Sequence, residues 1–352
     1  MLEHTAGLQD WTREEFDLND PTPLTLEQGF AFQPRSRTLR WKPGMHSVYS
    51  NSGYGIAGLV IQRVSGMPYE AFVARELFAP LRMRGATFLP DEELASALAR
   101  GYDSDGRTVI PYWHMLQRPA GAINTTLREL AALVRMLLNE GAFEGTTVLS
   151  AASVARLEAP ATSAAARSGL RFGYGLGNYA HTRNGFVFRG HGGDADGYLS
   201  HYAYCRELGV GYLVTINAAM PRGLRALRSE IERALTRGKA AQPPPPPVSI
   251  ERQALQRLTG RYELAAWRFP WQTAEERARE AIVIRLDRGG YLVTEDRSGE
   301  RQALIPVAGM RFRRGYEHLA TSAFVEDEGR LYFQEDESWV RVGDLSDASS
   351  TR

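Results

Sequence analysis

The sequence predicts an α+β domain, an antiparallel sheet packed with helices, followed by a small all-β barrel or sandwich. Three observations support this prediction. Apolar residues recur at helical spacing in four segments before residue 238. Short runs of β-branched and aromatic residues lie between the third and fourth of these segments. Beyond five consecutive prolines, the chain consists mostly of short strand-like runs separated by turn residues.

The domain boundary is predicted at residues 238–249, GKAAQPPPPPVS. Consecutive prolines favour an extended polyproline conformation without helix or sheet hydrogen bonds, which makes a semi-rigid spacer. We therefore assign residues 1–237 to the first domain, 250–343 to the second, and 344–352 to a disordered tail.

Four helices are predicted in the first domain, each with an apolar face and a start or stop signal. In the clearest of them Thr126 and Glu129 form a predicted capping box, and Gly141 ends the helix. The segments and their inward-facing residues are 53–64 (Ile56, Leu59, Val60, Val64), 67–81 (Tyr69, Phe72, Val73, Leu77), 126–141 (Leu130, Leu133, Val134, Leu137, Leu138) and 222–237 (Leu224, Leu227, Ile231, Leu235).

The predicted strands fall into two groups. Residues 185–193, 198–205 and 209–218 are separated by gaps of turn length and predict an antiparallel meander. After the linker, short strands alternate with turns, which is typical of a small barrel or sandwich. These strands come from AIVIRLDRGGYLVTED (281–296), FRRGYEHLATSAFVED (312–327) and GRLYFQEDESWVRVG (329–343).

The composition excludes several classes of function. The net charge is +1 at pH 7, so no overall field attracts nucleic acid or an anionic membrane. Cys205 is the only cysteine, which excludes an intrachain disulfide and a cysteine-based zinc site. No apolar run approaches the roughly 18 residues that a transmembrane helix needs. The first residues also lack the pattern of a signal peptide.

Tyr49, Ser50 and Asn51 precede the first predicted helix. In an extended segment Tyr49 and Asn51 point to the same side, because side chains alternate along a strand. The positive end of the following helix would face the same place. A phenol, an amide and a helix N-terminus suit proton transfer and an anionic intermediate. A buried tyrosine beside an Asn or Ser helix cap explains the tripeptide as well, so both interpretations stay open.

The segment RGHGGDADGYLS places His191 and two glycines at the end of a predicted strand. Because Gly192 and Gly193 leave the strand edge bare, a substrate backbone can add to the sheet there, and His191 can donate to a substrate oxygen. A strand ending in a glycine turn beside an exposed histidine is the alternative. A calcium loop through Asp194 and Asp196 lacks its remaining ligands, including the closing glutamate.

Other catalytic signatures are absent from the sequence. It contains no G-x-S-x-G, no H-E-x-x-H and no P-loop lysine. GLGNYA imitates a dinucleotide fingerprint, but strands rather than a helix follow it. We interpret the remaining histidines as hydrogen-bonded or surface residues rather than metal ligands: His4, His46, His114, His181, His201 and His318.

Taken in order, these segments resemble the serine β-lactamase-like superfamily, in the branch of class C β-lactamases, D-aminopeptidases, DD-peptidases and family VIII esterases. MLEHTAGLQD resembles the LLTHTSGL segment of that family, and residues 49–83 resemble its Y-x-N region. PAGAINTTLRELAALVRMLL resembles its PAGGL-S-T-DLARF helix, and GHGGDADGY stands where relatives carry K-T-G or H-x-G. The resemblance covers residues 1 to about 237, and the region after the prolines resembles the lipocalin-like β-domain appended to many of these hydrolases.

The resemblance implies catalytic roles for Tyr49 and Asn51. Tyr49 would be the general base, or part of it, and would accept the proton of a nucleophilic serine. Asn51 would bind the substrate amide and help to order the site. The fold implied is the β-lactamase/transpeptidase fold, and neither a metal nor an organic cofactor is implied.

The resemblance implies substrate binding along the strand that contains His191. His191 would take the place of the K-T-G lysine, Gly192 and Gly193 would line the substrate, and the backbone N–H of Asp194 would supply one oxyanion donor. A histidine is a weaker and pH-dependent partner for a carboxylate than a lysine. This difference favours esters, amides or peptides over β-lactams as substrates.

The nucleophile that the family uses, the serine of S-x-x-K, does not occur in this sequence. The only lysines are Lys42 and Lys239, and the residues three positions earlier are Leu39 and Thr236. One explanation is a chain truncated at its N-terminus, and the other is a non-catalytic relative that keeps the cleft. Truncation is favoured, because a chain adapted to the loss would have changed Tyr49 and the facing apolar positions.

The resemblance therefore implies a serine hydrolase that forms an acyl-enzyme with a small-molecule or peptide substrate, and its nucleophile segment is absent here. The chain as given is expected to be inactive. The alternative is a module that binds peptide or cell-wall fragments. Oligomeric state stays open, as does the choice between bacterial cytoplasm and periplasm, because any signal peptide would lie in the missing segment.

Overall fold

Strands occur on both sides of the proline run, β1–β8 before it and β9–β16 after it. The computed structural model describes residues 1–16, 18, 22–315 and 317–345, so the predicted tail lies outside the described residues from 346 onward. The strands are β1 Gly101–Tyr102, β2 Val109–Ile110, β3 Ala142–Phe143, β4 Thr146–Thr147, β5 Tyr179–Arg183, β6 Phe186–Ala195, β7 Tyr198–Cys205, β8 Val210–Ile216, β9 Gly260–Leu264, β10 Ile282–Leu286, β11 Leu292–Glu295, β12 Arg301–Ala308, β13 Arg311–Arg313, β14 Ser322–Asp327, β15 Arg330–Gln334 and β16 Ser338–Gly343.

Helices lie mainly before the proline run. Short 3₁₀ turns occupy Pro34–Arg37 and Arg118–Ala120, and a π-helical turn at Ala74–Phe78 extends the fourth helix. The α-helices are α1 Arg13–Phe16, α2 Leu26–Phe32, α3 Asn51–Ser65, α4 Tyr69–Val73, α5 Glu92–Ala97, α6 Leu127–Leu138, α7 Ala151–Glu158, α8 Ala164–Arg167, α9 Pro221–Thr236, α10 Arg252–Arg257 and α11 Ala274–Arg279. No helix in the described part of the chain is long and apolar enough to cross a membrane.

The first domain is built on a four-stranded antiparallel sheet with the order β5-β6-β7-β8. This sheet confirms the predicted meander and adds β5 at its edge. Side chains alternate between its faces: Tyr204 packs with α6, whereas Ala203 and Cys205 pack with Ile231 and Leu235 of α9. The sheet is thus enclosed between helices on both faces.

Helix α6 begins as predicted but with half of the predicted capping box. The Thr126 hydroxyl accepts the Glu129 N–H at 3.2 Å. The Glu129 carboxylate does not reach back to Thr126; it accepts the Gly85 N–H at 2.7 Å and the Thr125 hydroxyl at 3.1 Å. Glu129 therefore ties α6 to the loop after α4 rather than closing its own first turn. Gly141 follows the helix with φ 97°.

Helix α3 buries a different face from the one that its apolar residues predict. Val60 and Val64 are 51% and 83% exposed, so the predicted inward stripe is wrong at both positions. The buried residues are small, and a Cβ at Gly58 would lie 2.2 Å from Cγ of Pro119. Close backbone packing on this glycine face turns the valines outward. In α9 the prediction fails only at Leu227, which is 45% exposed.

The second domain is a closed antiparallel barrel with the strand order β9-β10-β11-β12-β13-β14-β15-β16, in which β16 pairs again with β9. The prediction of an α+β domain followed by a barrel or sandwich is confirmed. Because the sheet closes on itself, the second domain is a barrel rather than a sandwich. Its interior holds large side chains that are 0% exposed, including Tyr262, Phe312 and Phe333. Leu255 of α10, a helix missed at the sequence level, packs into the same core.

The barrel packs directly against the first domain. The buried amide of Gln334 donates to the Met45 carbonyl at 2.8 Å and accepts the Ala165 N–H at 2.8 Å. Met45 also packs with Tyr332 and Val340 of the barrel. These contacts hold the second domain against the segment before α3 and against α8.

Candidate functional site

The start of α3 is held by a carboxylate that is distant in sequence. Ser50 has an extended backbone, with φ −149° and ψ 113°, and its side chain does not cap the helix. Asp10 does so instead: one carboxylate oxygen accepts the Asn51 N–H at 2.8 Å, and the other accepts the Asn51 amide at 3.2 Å. Tyr49 thus immediately precedes a capped helix N-terminus.

Strand β6 offers a bare edge where the sequence predicts one. Its pairing with β5 ends at Gly190, which lies opposite Tyr179. Residues 191–195 pair only with β7 in the described part of the chain. A Cβ at Gly193 would lie 2.5 Å from Oγ of Ser200, so a larger residue would require the Ser200 side chain to move. Gly193 and Asp194 are exposed along this edge.

His191 is held as a neutral hydrogen-bond acceptor. Its Nδ1 lies 2.5 Å from the Gly192 carbonyl, an acceptor, so Nδ1 carries the proton. Its Nε2, 2.7 Å from the Tyr174 hydroxyl, therefore accepts from that hydroxyl. Burial lowers the pKa of His191. In this state His191 contributes no positive charge to the cleft.

His4 lies between the two predicted parts of the site. Its ring centroid is 4.1 Å from that of Tyr49 and 4.4 Å from that of Tyr174. Nδ1 accepts the Ser50 N–H at 3.0 Å, so the proton resides on Nε2. Nε2 is buried without a hydrogen-bond partner among the described residues. Burial, helped by the positive charge of Arg268, lowers the pKa of His4 to about 3.

Tyr49 is partly buried beneath an arginine from the barrel. The guanidinium carbon of Arg268 lies 4.3 Å from the centre of the Tyr49 ring. Burial raises the pKa of Tyr49, and Arg268 opposes this increase. Nε of Arg268 donates to the Asp10 carboxylate at 2.8 Å. The same carboxylate therefore connects the helix cap to the arginine above Tyr49.

The structure brings Tyr49 and the strand that contains His191 together. The ring centroids of Tyr49 and His191 are 6.4 Å apart, and Gly192, Gly193 and Asp194 continue the bare edge from His191. The amide of Asn51 faces Asp10.

Four residues of this site were not predicted. His4 and Asp10 fall inside the MLEHTAGLQD segment that resembles the family, and this resemblance was the available signal for both. Tyr174 and Arg268 had no comparable signal, because their places in the site depend on tertiary packing. Among the described residues, no group of three or more His, Cys, Asp or Glu side chains could hold a metal ion.

Comparisons with known proteins agree with this architecture. The sequence model of the family described as Beta-lactamase matches residues 1–236. Penicillin-binding protein 4 of Amycolatopsis lactamdurans is 30% identical over 161 residues, which are 44% of this chain and 42% of that protein. Protein flp of Staphylococcus aureus (strain MW2) is 29% identical over 104 residues, which are 29% of this chain and 21% of flp. The chain thus matches less than half the length of these two curated relatives.

Two solved structures share the fold. The octameric penicillin-binding protein homologue from Pyrococcus abyssi has a TM-score of 0.51 and 20% identity, covering 97% of this chain and 77% of its own. The D-amino acid amidase from Ochrobactrum anthropi SV3, complexed with L-phenylalanine amide, has a TM-score of 0.55 and 19% identity, covering 68% of this chain and 71% of its own.

Proposed function

Because the chain belongs to the beta-lactamase family over residues 1–236, we propose that its cleft binds acyl substrates of a serine hydrolase. The observation that carries this proposal is the convergence of Tyr49 and His191 beside the bare edge of β6. Exposed N–H and C=O groups on such an edge suit a peptide-like acyl group. Tyr49 would accept the proton of the nucleophile, and the Asp194 N–H would stabilise the oxyanion.

The proposed substrates are amides, esters or peptides of D-amino acids. The similarity to a D-amino acid amidase supports this class. A neutral His191 also favours a substrate whose carbonyl or amide, rather than a carboxylate, lies beside it. Asn51 would accept an N–H of the substrate amide through its side-chain oxygen, because its side-chain nitrogen donates to Asp10.

We expect D-phenylalanine amide to bind the purified chain saturably, as measured by isothermal titration calorimetry. Asn51→Ala should weaken binding by about 5- to 10-fold, because it removes about one hydrogen bond to the ligand. His191→Ala should also weaken binding, because it removes the ring that accepts the Tyr174 hydroxyl beside the bare edge of β6. His318→Ala changes a histidine of the barrel and should bind like the unchanged chain. Equal affinity in all four proteins, or no binding by the unchanged chain, would refute the proposed cleft.

The absence of S-x-x-K from these 352 residues favours a second candidate function, a binding module that uses the cleft without covalent chemistry. Both proposals expect the chain as given to bind the ligand. They differ on whether the parent protein also hydrolyses it. In the hydrolase proposal, the nucleophile belongs to a segment that these residues do not include.

For the chain as given, we expect no covalent labelling by a fluorescent fluorophosphonate, because such probes need an activated serine. Intact mass spectrometry after incubation should show an unmodified chain, while an active serine hydrolase in the same buffer is labelled. One stoichiometric adduct on a single serine would contradict this expectation and identify a nucleophile other than S-x-x-K.

A further inference from the structure

A loop of the barrel, residues 265–271 between β9 and α11, reaches into the candidate site. The Asp10 N–H donates to the Arg268 carbonyl at 2.9 Å. The rings of Trp41 and Trp267 meet edge to face with centroids 5.2 Å apart. The loop is therefore anchored at Trp267 and at the backbone of Arg268, and the arginine is part of the interface between the domains.

The side chain of Arg268 is fixed by three contacts. Nε donates to the fully buried Asp10 carboxylate at 2.8 Å, and the guanidinium lies over the rings of Tyr49 at 4.3 Å and Phe269 at 4.6 Å. The side chain is still 40% exposed. An arginine held in this way keeps its charge beside the phenol at little entropic cost.

Arg268 is the cation that faces Tyr49 in the described part of the chain. The charge of Asp10 is shared between Arg268 and the donors at the start of α3, and the two histidines are neutral. Burial of Tyr49 disfavours its phenolate, and Arg268 is the main opposing influence. The titratable and charged groups around Tyr49 are His4, Asp10, Tyr54, Tyr174, Tyr179, His191 and Arg268.

We propose that Arg268 is a positioning residue of the candidate site, supplied by the barrel, which fixes the Tyr49 ring and stabilises its ionised form. The barrel then contributes a side chain to the candidate site and is more than an appended module. This inference rests on the proposed role of Tyr49 as proton acceptor. In the described part of the chain, the positive charge beside Tyr49 comes from the barrel rather than from the domain that contains Tyr49.

Nitration by tetranitromethane tests this role, because the reagent attacks tyrosinate and its rate at fixed pH follows the ionised fraction. Mass spectrometry of the Tyr49 peptide gives the rate, with the barrel residue Tyr291 as an internal reference. In Arg268→Gln we expect Tyr49 nitration at pH 8 to slow by about 10-fold, equivalent to about one pH unit of titration. The expected decrease in rate is no larger, because the Arg268 side chain is 40% exposed and solvent screens its charge.

The sign of the change distinguishes the proposal from simple shielding. If Arg268 only covers Tyr49, its removal exposes the ring and accelerates nitration. Arg268→Lys keeps the charge and should retain most of the rate. Arg277→Gln removes a similar arginine, stacked 4.1 Å from the Trp267 ring, and should leave the rate unchanged.

An unchanged or faster rate in Arg268→Gln would overturn the proposal, as would an equal decrease in Arg277→Gln. Circular dichroism confirms that the variants fold, and Arg268→Lys still tests the role of the charge if Arg268→Gln does not fold. The measurement needs neither ligand nor turnover. Its failure is therefore separable from the failure of the proposed ligand binding.

Discussion

Asp10→Ala is expected to lower the free energy of unfolding by about 2–4 kcal/mol. The Asp10 side chain is fully buried and accepts the backbone N–H groups of Trp11 and Asn51, at 2.9 and 2.8 Å. Without the carboxylate, the start of α3 loses its cap and buried donors lose their acceptor. The ion pair with the part-exposed Arg268 adds little to this estimate.

Urea unfolding followed by circular dichroism measures the loss, and Asp105→Ala is the matched control. Asp105 also accepts two backbone N–H groups, those of Arg107 and Thr108, both at 2.8 Å, but it lies in an exposed loop. Its replacement should cost less than about 1 kcal/mol, because water satisfies the same donors. Similar losses in the two variants would show that burial of Asp10 is not the source of its effect.

Acidification from pH 7 to pH 4 is expected to destabilise the fold through three buried neutral histidines. Burial lowers the pKa of His4 to about 3, of His46 to about 4 and of His201 to about 3, from an ordinary 6.5. Below pH 6.5 the unfolded chain takes up protons at these positions and the folded chain does not. Their stabilisation is therefore complete above pH 6.5 and is lost as the pH falls towards 3–4.

Within that window, each of these histidines lowers the free energy of unfolding by up to about 1.4 kcal/mol for each unit by which the pH falls. Urea unfolding at pH 8, 7, 6, 5 and 4 measures the slope of stability against pH. His46→Gln should reduce the slope between pH 6 and 5 by about 1 kcal/mol per unit, whereas above pH 7 the two curves should run parallel. Identical slopes in both proteins between pH 6 and 5 would contradict the neutral buried state of His46.

Elements dominated by local pattern could be predicted from the sequence. The β6–β8 meander follows from short β-branched runs with turn-length gaps, and α6 follows from its apolar stripe and the Thr126 cap. Helix α3 was recognised, but its buried face was not. Hydrophobicity points to Val60 and Val64, whereas packing is decided by Gly58, whose missing side chain lets Pro119 approach.

The residues of the candidate site also differ in whether a local motif or tertiary packing places them there. Tyr49, Asn51 and the His191 strand belong to short motifs whose residue types suggest chemistry directly. His4 has no such motif of its own, because its position depends on the Ser50 N–H and on two tyrosine rings. Arg268 lies in another domain, and nothing in the local sequence indicates that its side chain lies over Tyr49.

The proline run has a consequence for how the two domains associate. The Val248 N–H donates to the Pro306 carbonyl at 3.0 Å, and Arg313 donates to the Pro245 carbonyl at 3.0 Å, so the spacer lies along the barrel. A short, stiff tether of this kind keeps the loop of residues 265–271 close to the first domain, at an effective concentration of about millimolar. Contacts too weak to join two separate molecules are then sufficient to keep Arg268 above Tyr49.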